Sequence, residues 1–291
     1  MQKIHQRFEK DPDARFSILV PTWNNLEFAR LCVRSLRENS RYPHELILHI
    51  NEGKDGTREW AEEEKISYTY TPENAGVCVA LNQASQLATT DYICFFNDDM
   101  YALPDWDVPL MEEIEKLDHE NWFLSGTMVE PRDTGNKCVI APRDYGQDID
   151  SFREQELLAD FRDFPHQDWS GATWPPNVVP KSLWDAVGGY SEEFSPGMSS
   201  DPDFSRKLWE HGVRYFKGVA ASRVYHFQAK STGKVVRNDG RKQFLEKWRM
   251  TQGSFARHYL QRGGVWSGPQ KEPGISPGLI LDRIRAFFKR L

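Results

Sequence analysis

Cysteine is scarce in this chain: Cys32, Cys78, Cys94 and Cys138 are scattered, and no two form a CxxC pair. Buried free thiols in a reducing compartment are the simplest expectation, and a zinc site the weaker one. Long apolar runs are missing too, none approaching the roughly 18 residues a spanning helix needs. The start, Met1-Gln2-Lys3-Ile4-His5-Gln6, has no apolar signal-peptide core, so a cytoplasmic protein is expected. There is no excess of positive charge: 37 Lys+Arg against 43 Asp+Glu leave a net charge of −6. That disfavours nucleic-acid binding over the whole surface. Neither GxxxxGK[ST] nor GxGxxG occurs, so a P-loop kinase and a dinucleotide dehydrogenase both lack their phosphate-binding loops. The composition that remains, 39% hydrophobic and 27% charged over 291 residues, is that of a globular protein with a real core.

The amino-terminal third alternates in character. Phe16-Ser17-Ile18-Leu19-Val20 reads as a buried strand, and Leu26 to Asn39 as an amphipathic helix. Strands at Glu45 to Ile50, Ile66 to Tyr70 and Asp91 to Phe96 are separated by helices near Arg58 to Lys65 and from Asn74 to Leu87. This order predicts an α/β fold with a mostly parallel sheet flanked by helices. Beyond Met100 the expected elements are a helix at Pro109 to Asp118, a strand at Trp122 to Val129 and a helix around Phe152 to Phe161. Short helices at Pro180 to Val187 and Pro202 to His211, a strand at Arg223 to Phe227 and a helix from Asp239 to Leu260 follow. Gly263 to Gly278, with five glycines and three prolines in sixteen residues, reads as a flexible linker.

Ligands of open parallel sheets bind beyond the carboxyl ends of the strands. The polar residues there are Pro21-Thr22-Trp23-Asn24-Asn25, Asn51-Glu52-Gly53-Lys54-Asp55-Gly56-Thr57 and Asn97-Asp98-Asp99. Adjacent carboxylates at a strand end can hold a divalent metal that meets a ligand's phosphates. An Asx turn closing the strand is the alternative for the same pair.

These segments, with Asn74-Ala75-Gly76, Ala80-Leu81-Asn82, Val187-Gly188-Gly189-Tyr190, Asp201-Pro202-Asp203-Phe204 and Val224-Tyr225-His226, resemble the family 2 glycosyltransferases in one consistent order over residues 16 to 230. The resemblance implies a GT-A fold over residues 14–262, with a nucleotide-sugar-binding half at 14–100 and an acceptor and catalytic half at 101–235. It implies a nucleotide-sugar donor bound by Pro21, Thr22, Trp23, Asn51, Glu52, Asn74, Asn82, Asn97 and Asp98. Trp23 stands where relatives have a tyrosine beside the base, and Asn51 where they have an Asp; an amide both donates and accepts, but uridine specificity is thereby in question.

The resemblance further implies Mn²⁺ or Mg²⁺ held by Asp99 and His226, and Asp201 as catalytic base of an inverting transfer. Asp201 followed by Pro202 equally suits a helix cap, and a lone His is equally a structural residue. Asp203 and the tryptophans Trp169 and Trp174 are candidates for an acceptor glycan, with loop anchoring as the other reading. The rival functions are a nucleotide-sugar sensor that has lost turnover and a sugar-phosphate nucleotidyltransferase. The latter's glycine-rich basic signature is absent after the first strand. Residues 279–291 form an expected basic amphipathic helix, with Ile280, Ile284, Phe287 and Leu291 on one stripe. It suits either an anionic membrane surface, at the inner face, or a protein partner.

Overall fold

The computed structural model describes residues 4–165, 167–229 and 238–289; Arg290 and Leu291 of the expected helix, and residues 230–235 of the expected catalytic half, lie outside them. After a short β1 (Ile4–Gln6) come β2 (Phe16–Trp23), α1 (Leu26–Asn39), β3 (Glu45–Asn51), α2 (Thr57–Glu63), β4 (Ser67–Thr71), α3 (Gly76–Ser85) and β5 (Tyr92–Phe95). Strands β4, β3, β2 and β5 lie side by side and all parallel. Their apolar runs are nearly unbroken because both faces are covered. Phe16, Ile18 and Val20 face Ala29, Cys32 and Val33 of α1, whereas Leu19 faces the other layer with Cys78 and Leu81 of α3. All four cysteines are buried and free, as their spacing suggests.

The second half adds β6 (Met100–Ala102), α4 (Val108–Glu115), β7 (Trp122–Val129), β8 (Val139–Ile140), α5 (Glu154–Asp160), β9 (Trp169–Ser170), β10 (Asn177–Pro180), α6 (Lys181–Val187), α7 (Ser200–Glu210) and β11 (Tyr215–His226). β10 is inserted antiparallel between β5 and β7, and β11 runs parallel to β7. Two reversals restore direction, so β2, β3, β5, β7 and β11 all end at the same edge. β10 escapes sequence reading because four residues between prolines carry no usable period. β11 is longer than the expected Arg223 to Phe227, its irregularity between Val219 and Arg223 having hidden the run.

The helix expected from Asp239 to Leu260 is two pieces. α8 (Gly240–Trp248) stops at Arg249 in the left-handed region (φ 57°). Thr251 Oγ1 then accepts from Ser254 N to open α9 (Gln252–Ser254), which runs into a π-turn at Phe255–Tyr259. The stretch read as a linker lies on the domain at its start: Val265 bridges Trp169, Trp266 packs 4.8 Å from the Tyr215 ring, and Gln270 exchanges bonds with Arg214 and Phe216.

α10 (Pro277–Phe288) is capped by Ser276 Oγ, which accepts from Leu279 N. It docks through Leu279, Ala286 and Asp282, the last reaching His258 at 3.0 Å and Arg257 at 3.3 Å. Ile280, Ile284 and Phe287 point outward, Phe287 being 57% exposed.

Gly76 opens α3 with φ +80°, and a Cβ there would lie 2.6 Å from Pro196 Cα. Both strain and overlap therefore oppose any side chain. Gly76→Ala is expected to cost on the order of 1–3 kcal/mol, read as a lowered denaturant midpoint.

Candidate active site

The common edge of β2, β3, β5, β7 and β11 opens into a cleft of about 500 Å³. Pro21, Thr22 and Trp23 enter it from the end of β2, Asn51 from the end of β3, and Asn97, Asp98 and Asp99 from the turn after β5. Asn74 comes from the loop before α3, Asp201 from the first turn of α7, His226 from the end of β11, and Trp174 from the loop before β10. One register explains the convergence: each strand delivers its last residues to the place where its backbone pairing ends.

Four expected residues stand elsewhere. Glu52 is behind Trp23, its Oε2 accepting from Trp23 Nε1 at 2.9 Å and Asn24 Nδ2 at 2.7 Å. It therefore orients the indole, and those bonds hold its carboxyl below the usual range. Asn82 is a splice between α3 and the Gly188–Tyr190 turn, donating to Tyr190 O and accepting from Tyr190 N, both at 2.8 Å. Trp169 is no acceptor platform: it is buried over Gly218 and donates Nε1 to Thr127 Oγ1 at 3.0 Å. Asp203 is fully buried, accepting from Trp248 Nε1 at 2.7 Å and pairing with Lys247 at 3.0 Å, so it fastens α7 to α8.

Asn51 faces the cleft with both amide ends engaged. Its Oδ1 accepts from Ala75 N at 2.8 Å and its Nδ2 donates to Thr22 O at 3.4 Å. Thr22 Oγ1, next to it, is buried with no partner among the described residues.

Asp99, Glu130 and His226 form a buried cluster at the ends of three strands. His226 Nδ1 is 2.8 Å from Glu130 Oε1, and its Nε2 is 3.5 Å from Asp99 Oδ2. Asp99 Oδ2 also accepts from Ala229 N at 2.9 Å. Burial alone would lower the imidazole pKa, but the charge of Asp99 and the bonds to both acids push it up to about 10. The Asp99 carboxyl, which burial would raise, is in turn held low by His226. Asp98 has no such cation, and burial with the charge of Asp99 pushes it up to about 7. Glu130 was not expected from sequence. It is the first residue after β7, so the rule that located Asp99 also points to it.

Among the described residues, no three His, Cys, Asp or Glu side chains form a ready cage for a metal. The donors nevertheless fit a divalent cation of the kind that keeps most positions for phosphate oxygens and water. Asp99 offers a carboxylate, and His226 Nε2 would offer an imidazole nitrogen once a cation displaces its proton, with Glu130 on Nδ1 fixing the ring. Among the described residues, Glu130 Oε2 is buried without a partner.

Asp201 is not the cap of α7: the cap position is Ser199, with φ 67°, and Asp201 lies within the first turn. Its Oδ1 instead accepts from Tyr190 Oη at 3.0 Å. Burial pushes its carboxyl up to about 6, against the opposing pull of the Tyr190 bond and the Arg262 charge. A carboxylate poised there takes a proton readily near neutrality. Because the Tyr190 bond favours the charged form, Tyr190→Phe is expected to move the Asp201 titration above 6, as followed by carbonyl-carbon NMR of labelled aspartate.

Residues 17–158 match the sequence model of Glycosyl transferase family 2. A curated relative, the putative teichuronic acid biosynthesis glycosyltransferase TuaG of Bacillus subtilis (strain 168), is 32% identical over 89 residues, which are 28% of this chain and 35% of that protein. The chain thus aligns with about a third of that relative's length. Among solved structures, S. aureus TarS 1-349 in complex with UDP superposes with a TM-score of 0.52 at 15% identity, covering 72% of this chain and 60% of that one. GalNAc-T7 with UDP, GalNAc and Mn²⁺ gives 0.56 at 16% identity, covering 79% and 45%. The parallel β4–β3–β2–β5 core with its acid-bearing turn after β5 has the GT-A arrangement, and residues 17–158, just under half of the chain, match the model of glycosyl transferase family 2.

Proposed function

We propose that this chain is a metal-dependent, inverting glycosyltransferase that moves a sugar from a nucleotide-sugar donor to a hydroxyl of a glycan or lipid-linked glycan. The observation that carries the reading is Asp201, poised near 6, sharing one cleft with Asp99 and His226, whose ring Glu130 holds from behind. TarS and GalNAc-T7 are described with UDP, which supports a uridine nucleotide as donor here; Trp23, oriented by Glu52, offers its ring to the base. The name of the TuaG relative supports an acceptor in cell-surface glycan synthesis.

In the reaction, the acceptor oxygen attacks the anomeric carbon as its proton passes to an Asp201 carboxylate oxygen. The bond from that carbon to the diphosphate breaks on the opposite side, and the diphosphate leaves with the bonding pair. Tyr190 holds Asp201 in line through its hydroxyl. Asp99 and His226 would hold a divalent cation, which when bound neutralises charge on the departing diphosphate.

Asp201→Asn is expected to lower transfer by about 10²–10⁴-fold while UDP still binds, as measured by product release and by calorimetry. UDP binding with no turnover in the unaltered protein, across a panel of donors with Mn²⁺, would instead establish a sensor. Chelator should abolish transfer and Mn²⁺ or Mg²⁺ restore it, a response lost in Asp99→Ala. Full activity in excess chelator rejects the metal.

In this reading α10 rests on an anionic bilayer. Its outward apolar side chains, Ile280, Leu281, Ile284, Phe287 and Phe288, stand beside exposed Arg283, Arg285 and Lys289, and that pairing suits an interface of acyl chains and negative headgroups. No described helix is long and apolar enough to cross a membrane. The protein should co-sediment with phosphatidylglycerol vesicles and not with phosphatidylcholine ones, and Phe287→Glu with Phe288→Glu should release it. Equal sedimentation of that variant discards the membrane role.

A further inference from the structure

Trp174, which lines the cleft, also lines a groove of about 450 Å³ between residues 134–138 and Arg262. The Arg262 guanidinium lies 4.8 Å from the centre of the Trp174 ring. Among the described residues it has no carboxylate within ion-pair distance, and burial pulls its pKa down, with Asp201 and Cys138 only partly offsetting this. Lys137, across the groove, is likewise without an ion pair among the described residues and is exposed. The one acid of this loop, Asp133, spends its Oδ1 on Gly135 N. In a chain of net charge −6, the groove thus brings together two cations that have no ion-paired carboxylate among the described residues.

The position of Arg262 is built into the fold. Its backbone N donates to Ala256 O at 2.9 Å, and Gly263 N donates to Ser170 O at 2.9 Å. A Cβ at Gly171 (φ +87°) would lie 2.7 Å from Arg262 Cα, and one at Gly263 (φ +78°) would lie 2.7 Å from Lys137 Cβ. Two glycines thus let three segments close around the groove and bring the cations together. A half-buried guanidinium stacked on an indole, with its fork left open, is suited to a planar or tetrahedral oxyanion.

We propose that Arg262 and Lys137, with Trp174 as the floor, form a subsite for an anionic group, a phosphate or a carboxylate, carried by the acceptor. The proposal rests on the transferase reading for the word acceptor, but the anion site itself does not. Trp174 borders both the groove and the pocket that contains Asp201. An acceptor sugar stacked on the indole would keep its charge in the groove and its hydroxyl at the base.

The test uses the full chain and the Trp174 indole proton–nitrogen resonance, assigned through Trp174→Phe. Glycerol phosphate and glucuronate are titrated as probes of the two anion types, with glucose as the neutral control, and UDP binding is measured in parallel. At least one anion should shift the resonance and glucose should not. Arg262→Gln should weaken that anion about tenfold or more, and Lys137→Gln to a smaller degree. Arg262→Lys should restore part of the affinity and leave near-ultraviolet dichroism unchanged, which separates lost charge from lost fold. UDP should bind all of these variants equally. An Arg262→Gln defect in UDP binding of the same size would assign the cation to the donor diphosphate and overturn the acceptor subsite, as would indifference of the resonance to both anions. Anion binding that survives alongside a complete failure to bind UDP would leave the subsite standing and remove the transferase reading instead.

Discussion

Three strands of this sheet end in groups that an apolar interior does not accept singly. Asp99 follows β5, Glu130 follows β7, and His226 ends β11. A buried carboxylate without a counter-charge costs several kcal/mol or gives up its charge. Here one imidazolium stands between two acids, and each raises its affinity for the proton. The arrangement needs β7 and β11 to be in register and to end level with β5. Backbone bonds from Phe227 N to Asp99 O and from Ala229 N to Asp99 Oδ2 tie the chain after β11 to the turn after β5. The shared edge of the two half-sheets, and with it the cleft, depends on this balance.

The same balance divides labour among three carboxyl groups that share the cleft. Asp99 is beside a cation and stays charged, which suits a ligand of a divalent ion. Asp98, one residue away, has no cation beside it; burial and a like charge outweigh its hydrogen bonds, and it rises to about 7. Asp201 is bonded to a neutral donor, Tyr190, with the charge of Arg262 acting from outside ion-pair distance, and rises to about 6. A cation at Asp201 comparable to His226 would depress its basicity and make it a poor proton acceptor; a phenol hydroxyl orients the group while leaving it basic. Environment, and not residue type, separates the three.

What could be read from sequence follows from where the information is local. Strand ends are local: an apolar run followed by Asn97-Asp98-Asp99, or by Pro21-Thr22-Trp23, marks the ligand edge without any knowledge of the partner strands. The α/β core was legible for the same reason. Asp203 was not, because its fate is decided by Lys247 and Trp248, more than forty residues later. Two positions on from Asp201 along a helix, its side chain leaves on a different bearing, toward α8 and away from the cleft. Trp169 and Trp174 look alike in sequence, yet Gly218 admits one ring into the sheet while the other faces the pocket. β10 was lost between prolines, and the helix from Asp239 was read through a break that only the left-handed Arg249 reveals.

That break has a functional consequence. By turning the chain at Arg249 and winding it through the π-turn at Phe255–Tyr259, the fold returns Arg262 and Gly263 to the sheet beneath Gly171. One side of the groove beside Trp174 is thus built by Arg262, beyond the segment that matches the family at 17–158, and the other by residues 134–138 within it. The acid turn after β5 and the loop that carries Lys137 belong to the matched part of the molecule, whereas Trp174 and Arg262 lie outside it. A change at Trp174 or Arg262 would therefore reshape the groove without touching the parallel core.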